Sequence, residues 1–283
     1  MFVDTHLHVI DKSVLHYPWL GGAPALDSDF SYADYAREAR RAGISRTFHM
    51  EVDVRPDEIE AETANVERLA GQPASLIVGA IAACRPEEDG FAAYLDGLKA
   101  HPLVRGLRRV LHVMPDELSE GALFRENIRR LSGAGLTFDL CVLPHQIPKA
   151  IAVVDQAPDV QFILDHCGVP DIAGGSDHPW RGHIADIARR PNVVAKISGV
   201  IAYADPSTWT VETLRPYVEH TIACFGWNRV VWGSDWPVCT LGGGLSAWVA
   251  ATHALASGAS NEEREKLYSA NAARLWRLPP APF

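Results

Sequence analysis

The stretch Met1-Phe2-Val3-Asp4-Thr5-His6-Leu7-His8 decides how the rest of the chain is read. Phe2 and Val3 open an apolar, β-prone run that leads into two histidines spaced i, i+2. On a strand such positions share a face, so His6 and His8 can grip one ion or one substrate together. As strand-end histidines satisfied by ordinary hydrogen bonds they would do neither, and the pair alone does not decide between the two. Spacing of i, i+4 would have pointed to a helix instead. The balance shifts with two residues far downstream, His166 and Asp235.

Working outward, short apolar runs alternate with helical patterns, and no change of composition marks a linker. Strand-like runs fall at 46–52, 75–81, 104–111, 136–142, 160–165, 193–198 and 230–233. Helical patterns fall at 32–42, 56–70, 87–100, 120–132, 148–155, 180–190, 211–225 and 245–256, with a last one at 261–276. Gly43 stops the first, and Pro56 sits in the first turn of the second. This is eight strand-helix units of roughly 35 residues, as a (β/α)8 TIM barrel requires. The expected architecture is therefore α/β, one barrel domain over 1–283. A doubly wound open sheet is the competitor, but no Gly-rich phosphate turn follows the first strand.

Composition sets the outer limits. Hydrophobic residues at 47% and charged residues at 22% are those of an ordinary globular protein with material for a large core. No segment has the apolar length of a membrane span, and the chain opens on a strand and not on a signal region, so a cytoplasmic protein with no membrane partner is expected. The net charge of −9 argues against nucleic acid, whose phosphates need a basic face. Cys84, Cys141, Cys167, Cys224 and Cys239 are odd in number and scattered, so they read as reduced core residues. Both a monomer and a homo-oligomer remain open.

Barrel enzymes carry their chemistry at the C-terminal ends of the strands. His6 and His8 end strand 1, Glu51 ends strand 2, His166 ends strand 6 and Asp235 ends strand 8. His166, between an apolar run and a Gly-x-Pro turn, either caps the rim or converges with the strand 1 pair on a ligand. Asp235, within Gly233-Ser234-Asp235-Trp236-Pro237, either stabilises a turn or serves as a carboxylate beside imidazoles. Such a carboxylate can bind a metal, or take a proton from water and return it to a leaving group.

Asp4-Thr5-His6-Leu7-His8, Leu164-Asp165-His166-Cys167-Gly168-Val169-Pro170, Lys196-Ile197-Ser198-Gly199 and Gly233-Ser234-Asp235-Trp236-Pro237 together resemble the amidohydrolase superfamily. Arg105-Gly106-Leu107-Arg108-Arg109, Phe138-Asp139-Leu140 with Pro144-His145-Gln146, and Asn271-Ala272-Ala273-Arg274-Leu275-Trp276 extend the resemblance. It covers essentially the whole chain. More narrowly it is similar to the branch of sugar-acid and dicarboxylate lactonases that includes L-fuconolactonase and 2-pyrone-4,6-dicarboxylate lactonase.

The resemblance implies that His6, His8, His166 and Asp235 form the metal set, with Asp235 and His166 catalytic. Strands 4 and 5 hold no lysine, so a carbamate-bridged pair of metals is not expected. One divalent ion, zinc or alternatively manganese, fits imidazoles and a carboxylate with a position left for water. The 2-pyrone lactonases work without a metal, and in that mode the histidines would polarise a lactone carbonyl directly.

The implied reaction is hydrolysis of a small-molecule lactone, that of an aldonic or related sugar acid, with Asp235 as base and then acid. A lyase reading would favour a histidine late in strand 7, where Lys196-Ile197-Ser198-Gly199 has none. A ligand-binding barrel without turnover ranks last. Arg108 is expected to offer its guanidinium fork to substrate while Arg109 faces away. Glu51, His112 and His145 are either substrate contacts or hydrogen-bonded rim residues. Trp19, Trp180 and Trp236 are candidates for an apolar wall, with Trp180 taken as substrate-binding, and Lys196 either enters the mouth or pairs with a carboxylate.

Overall fold

The structure, a computed structural model, describes residues 1–279. Eight strands, β1 (Phe2–Leu7), β2 (Ile44–Met50), β3 (Ile77–Ala83), β4 (Val104–Val110), β5 (Thr137–Cys141), β6 (Phe162–Leu164), β7 (Val193–Ile197) and β8 (Val230–Trp232), pair in sequence order. Every pairing is parallel. Helices α1 (Tyr32–Arg41), α2 (Ile59–Ala70), α3 (Phe91–Gly97), α4 (Ala122–Ala134), α5 (Ile147–Asp155), α6 (Trp180–Ile187), α7 (Val211–Phe225) and α8 (Leu245–Leu255) follow the strands in turn. This is the (β/α)8 barrel that the alternating pattern predicts. The tail forms α9 (Asn261–Glu265), a π turn over Lys266–Ala270, and α10 (Asn271–Leu275), where a single helix is expected. No helix among the described residues is long and apolar enough to cross a membrane, and all five cysteines are free.

The cylinder closes through the segment after β8. Leu7 bridges Trp236 in parallel fashion. The amide of Asp235 donates to the His6 carbonyl at 2.9 Å and that of His8 to the Trp236 carbonyl at 2.8 Å. Thr5 Oγ1 adds a bond to the Trp232 carbonyl at 2.8 Å. Where a strand is expected over 160–165, β6 is only three residues long: it starts at Phe162, and left-handed backbone at His166 ends it before Asp165.

The interior is layered. Val3, Phe48, Met50, Ile81, Ile163, Val194 and Val231 fill the lower part as a cluster separate from the outer core. Trp276 plugs that end, its ring 4.6 Å from Phe48. Burying side chains of this size is worth ~1.5–3 kcal/mol each, so the lower barrel is ordinary hydrophobic core. Gly106 in β4 is required there, since a Cβ would stand 2.2 Å from Thr137 Oγ1. Two residues further along each strand the inward positions turn polar, with Arg108 on β4, Asp139 on β5, Asp165 after β6 and Lys196 on β7, all buried. The apolar floor thus supports a charged layer beneath the mouth.

Candidate active site

On β1 the pairing with β2 slips between Asp4 and Leu7. Asp4 turns toward α1, accepting from the Tyr35 hydroxyl at 2.7 Å and from the Ser234 amide at 2.7 Å. Leu7 joins the outer core, while His6 and His8 lie together with their Nε2 atoms 3.1 Å apart. Asp235 Oδ1 lies 3.6 Å from His6 Nε2 and 3.5 Å from His8 Nε2. From the other side His166 Nδ1 stands 3.7 Å from Asp235 Oδ2 and 2.9 Å from Ser198 Oγ. One carboxylate therefore faces three imidazoles.

Local backbone aims these groups. His166, Cys167 and Val169 adopt positive φ of 55°, 54° and 50°, and Asp235 one of 56°. Left-handed backbone at non-glycine residues costs of order 1–3 kcal/mol each and persists only where the surroundings impose it. Here Trp180 Nε1 donates to the Cys167 carbonyl at 2.7 Å and the seam amide holds Asp235. Gly199, at φ 71°, leaves room for the site: a Cβ there would meet His166 Nδ1 at 2.7 Å and Asp235 Oδ2 at 3.1 Å.

The charged layer fixes the imidazoles from below. Lys196 Nζ lies 2.6 Å from Asp139 Oδ2, 2.8 Å from Asp165 Oδ1 and 3.2 Å from His6 Nδ1. Arg108 Nε donates to Glu51 Oε1 at 2.5 Å, Nη2 to the Glu51 carbonyl at 2.8 Å, and Nη1 reaches Asp165 Oδ2 at 3.5 Å. His8 Nδ1 lies 3.1 Å from the Met50 carbonyl, an acceptor that places the proton on Nδ1 and leaves Nε2 with its lone pair toward the site.

Burial governs the protonation states. It pushes the Asp235 carboxyl up to about 6, against the opposing pull of His166 and Arg108. Burial also brings His8 down to about 4, with Arg108 helping, and holds His6 well below its ordinary value, with Lys196 helping. His166 is lowered mainly by burial. The imidazoles are thus neutral near pH 7, able to act as ligands or hydrogen-bond partners. Burial raises Asp139 to about 7 in spite of Lys196, whereas Asp165 is held well below the usual range by Lys196 and His6 in spite of its burial.

His6, His8 and Asp235 have the donor set of an ion site, and His6, Asp165 and His166 form a second grouping of ligand-type residues. A tetrahedral ion with bonds of about 2.1 Å needs ligand atoms about 3.4 Å apart. The separations of 3.1, 3.6 and 3.5 Å in the first group fit a divalent ion. Arg108 Nη1, 3.4 Å from His6 Nε2, brings a fixed positive charge to the same nitrogen.

Above lies a cavity of about 260 Å³, lined by His8, Arg108, His112, His166, Tyr203 and Asp235 together with apolar residues. Arg109 points away and pairs with Glu87 at 2.7 Å. Three of the expected substrate contacts are not in the cavity wall. Glu51 is buried behind Arg108, its second oxygen accepting the Asp53 amide at 2.7 Å, so it positions the guanidinium. His145 is exposed and pairs with Asp116 at 3.3 Å, because the turn after β5 carries it outward. Trp180 is core, its ring packed against Tyr217 and its N–H spent on Cys167. Trp236 packs on Tyr35 and Phe30, and of the three tryptophans only Trp19 reaches the cavity.

Sequence patterns assign no role to Ser198, Asp139, Asp165 or Tyr203. Asp139 and Ser198 fall on the period-2 positions that share a face with Cys141 and Lys196, a signal that could have found them. Tyr203 lies in the loop after β7, where no periodicity operates.

A parallel barrel with a carboxylate and three imidazoles at its C-terminal mouth has the form of a hydrolytic metal-site or histidine-cluster barrel. The chain belongs to the amidohydrolase family, whose model matches residues 3–278. It is 29% identical to the uncharacterised protein y4mH of Sinorhizobium fredii, over 98% of each chain. It is 26% identical to an L-fucono-1,5-lactonase of Burkholderia ambifaria, covering 98% of this chain and 95% of that one. The structure also matches an amidohydrolase of Burkholderia multivorans solved with bound zinc, at a TM-score of 0.88 and 25% identity, over 99% of this chain and 100% of that one.

Proposed function

We propose that the protein opens a lactone ring by attack of water on the carbonyl carbon, the lactone being that of a sugar acid or related hydroxy acid. The observation that carries this reading is Asp235, a buried carboxylate raised to about 6 that faces three neutral imidazoles at the floor of a cavity. Such a group is ionised near neutral pH yet basic enough to take a proton from water. The similarity to an L-fucono-1,5-lactonase supports the substrate class.

In this reading the substrate carbonyl lies above His8 and His166, with Arg108 turned to the oxygen that gains charge. Asp235 removes a proton from the attacking water as the new C–O bond forms. The tetrahedral adduct then breaks its bond to the ring oxygen, and Asp235 returns the proton to that oxygen. The product is a hydroxy acid, which releases a proton to solvent. Neutral His6, held by Lys196, keeps its partner His8 in place. A divalent ion, zinc by analogy with the zinc-bound relative, would be held by His6, His8 and Asp235 and would supply Lewis acidity and a more acidic water.

The test is acid release from a panel of lactones, followed with a pH indicator, for the wild-type protein and for Asp235→Asn. Turnover by the wild type that is lost in the variant supports the proposal. No acid from any lactone, with the protein stripped or loaded with zinc or manganese, would overturn it.

A further inference from the structure

The cavity above the site is chemically divided. Its polar groups, His8, His166, Asp235, Arg108 and Tyr203, gather around the reacting centre. Most of the rest of the wall is hydrocarbon, from Ile10, Trp19 and Leu26 of the β1–α1 loop, Val52 after β2, and Val110 with Val113 at the end of β4, with Asp53 and His112 the polar side chains among them. We infer that the substrate is a lactone whose ring carries a hydrocarbon substituent and few free hydroxyls, the substituent lying against this wall. The inference rests on the lactonase reading above and, of the two substrate kinds named there, takes the related hydroxy acid over the polyhydroxylated sugar acid.

Hydrogen-bonding capacity is the first argument. A ring with several hydroxyls needs a partner for each, and a buried hydroxyl left without one costs roughly 5- to 150-fold in affinity. The outer cavity has little to offer. Trp19 Nε1 already donates to the Val52 carbonyl at 2.8 Å. Asp53 gives one oxygen to Arg85 at 3.3 Å and His112 has its Nδ1 3.1 Å from Cys141 Sγ, which leaves one carboxylate oxygen and one ring nitrogen as polar contacts of the outer wall. Arg108 spends Nε and Nη2 on Glu51. The Tyr203 hydroxyl, which makes no hydrogen bond among the described residues, is left for one oxygen near Asp235.

The second argument is that the hydrocarbon wall is built and not incidental. Ile10, Leu26 and Val52 belong to a separate apolar cluster with Leu15, Tyr17, Leu20 and Val54, and Trp19 packs against it. That cluster anchors the long β1–α1 loop, so a substrate cannot push the wall aside to reach polar groups behind it. At the lip Val113 is 65% exposed, which continues the apolar surface outward. Exposed hydrocarbon beside a cavity marks a binding surface better than an isolated apolar residue does.

The experiment compares kcat/KM for γ-lactones with unbranched side chains from methyl to pentyl against polyhydroxylated aldonolactones of the same ring size. Each added methylene that reaches the wall should raise kcat/KM ~4-fold. The near-isosteric Val110→Thr should flatten that dependence while the protein stays folded. In parallel, calorimetry measures binding of the matching γ-lactams, which keep ring and side chain but resist hydrolysis.

A preference for the hydroxylated lactones would overturn the inference and leave the lactonase reading intact. Lactam affinities that rise with chain length while no lactone is opened would remove the lactonase reading and leave the hydrocarbon site standing. Flat lactam affinities would overturn the hydrocarbon site itself.

Discussion

Replacing Lys196 with methionine tests the charged layer that carries the site. The ammonium group is fully buried and meets Asp139, Asp165 and His6 at 2.6, 2.8 and 3.2 Å. Methionine keeps most of the packing but strands two carboxylates, and breaking a buried ion pair from one side costs ~3–5 kcal/mol. At ~2–4 °C per kcal/mol for a protein of this size, the melting temperature should fall by roughly 6–20 °C. Asp139 stands at about 7 even with the lysine present, and without it the carboxyl rises further. A carboxyl whose folded pKa lies above its unfolded value destabilises the fold only where it is ionised, so the deficit grows as pH rises and shrinks below about 7. Thermal melts followed by circular dichroism at pH 8 and pH 5.5 measure both effects, and Lys196→Met with Asp139→Asn should recover part of the loss. A drop under ~2 °C at pH 8, or a deficit no smaller at pH 5.5, would refute the reasoning.

Further outcomes follow from the site. Asp235→Asn should lower kcat by at least ~100-fold while leaving much of the substrate affinity, and steady-state kinetics with near-normal kcat would remove Asp235 from the chemistry. Because Asp235 must be ionised to act and burial raises it to about 6, kcat/KM should climb about tenfold per pH unit below that value and level off above it; a pH profile flat down to 4.5 would contradict this. Gly199→Ala brings a Cβ within 2.7 Å of His166 Nδ1 at a backbone φ of 71°, so turnover should drop ~10-fold or more with the fold retained, as read by kinetics beside a melt. Chelation should reduce activity and zinc or manganese restore it, with metal content measured alongside. Full activity at well under one ion per chain would show that the imidazoles work unaided.

The barrel is legible in the sequence because eight alternations of period 2 and period 3.6 leave few other ways to bury the apolar faces. Boundaries are less legible where a strand stops for a reason other than a turn residue: the 160–165 run looks like a six-residue strand, yet it begins at Phe162 and left-handed backbone at His166 ends it at Leu164. Within the site, the His6 and His8 spacing is readable as two side chains on one face. What cannot be read from spacing is which charges meet across strands. Glu51 and Arg108 are 57 residues apart, and only the closed barrel makes the first a support for the second. Lys196 likewise reads equally well as a mouth residue or as an ion-pair partner, until β5, β6 and β7 bring Asp139 and Asp165 to it. Trp180 carries no periodic signal of its depth, because it follows a loop and opens a helix.

The seam between Leu7 and Trp236 also bears on how the protein comes to life during synthesis. His6 and His8 leave the ribosome well before Asp235, and the amide that pins Asp235 to the His6 carbonyl can form only after more than two hundred further residues have emerged. Closing a loop of that length costs about 5 kcal/mol in chain entropy, which the β1–β8 seam recovers only once the intervening strands are docked. The carboxylate and the imidazoles are therefore strangers throughout translation. A growing chain that has not yet made the segment after β8 holds the imidazoles without the carboxylate they face.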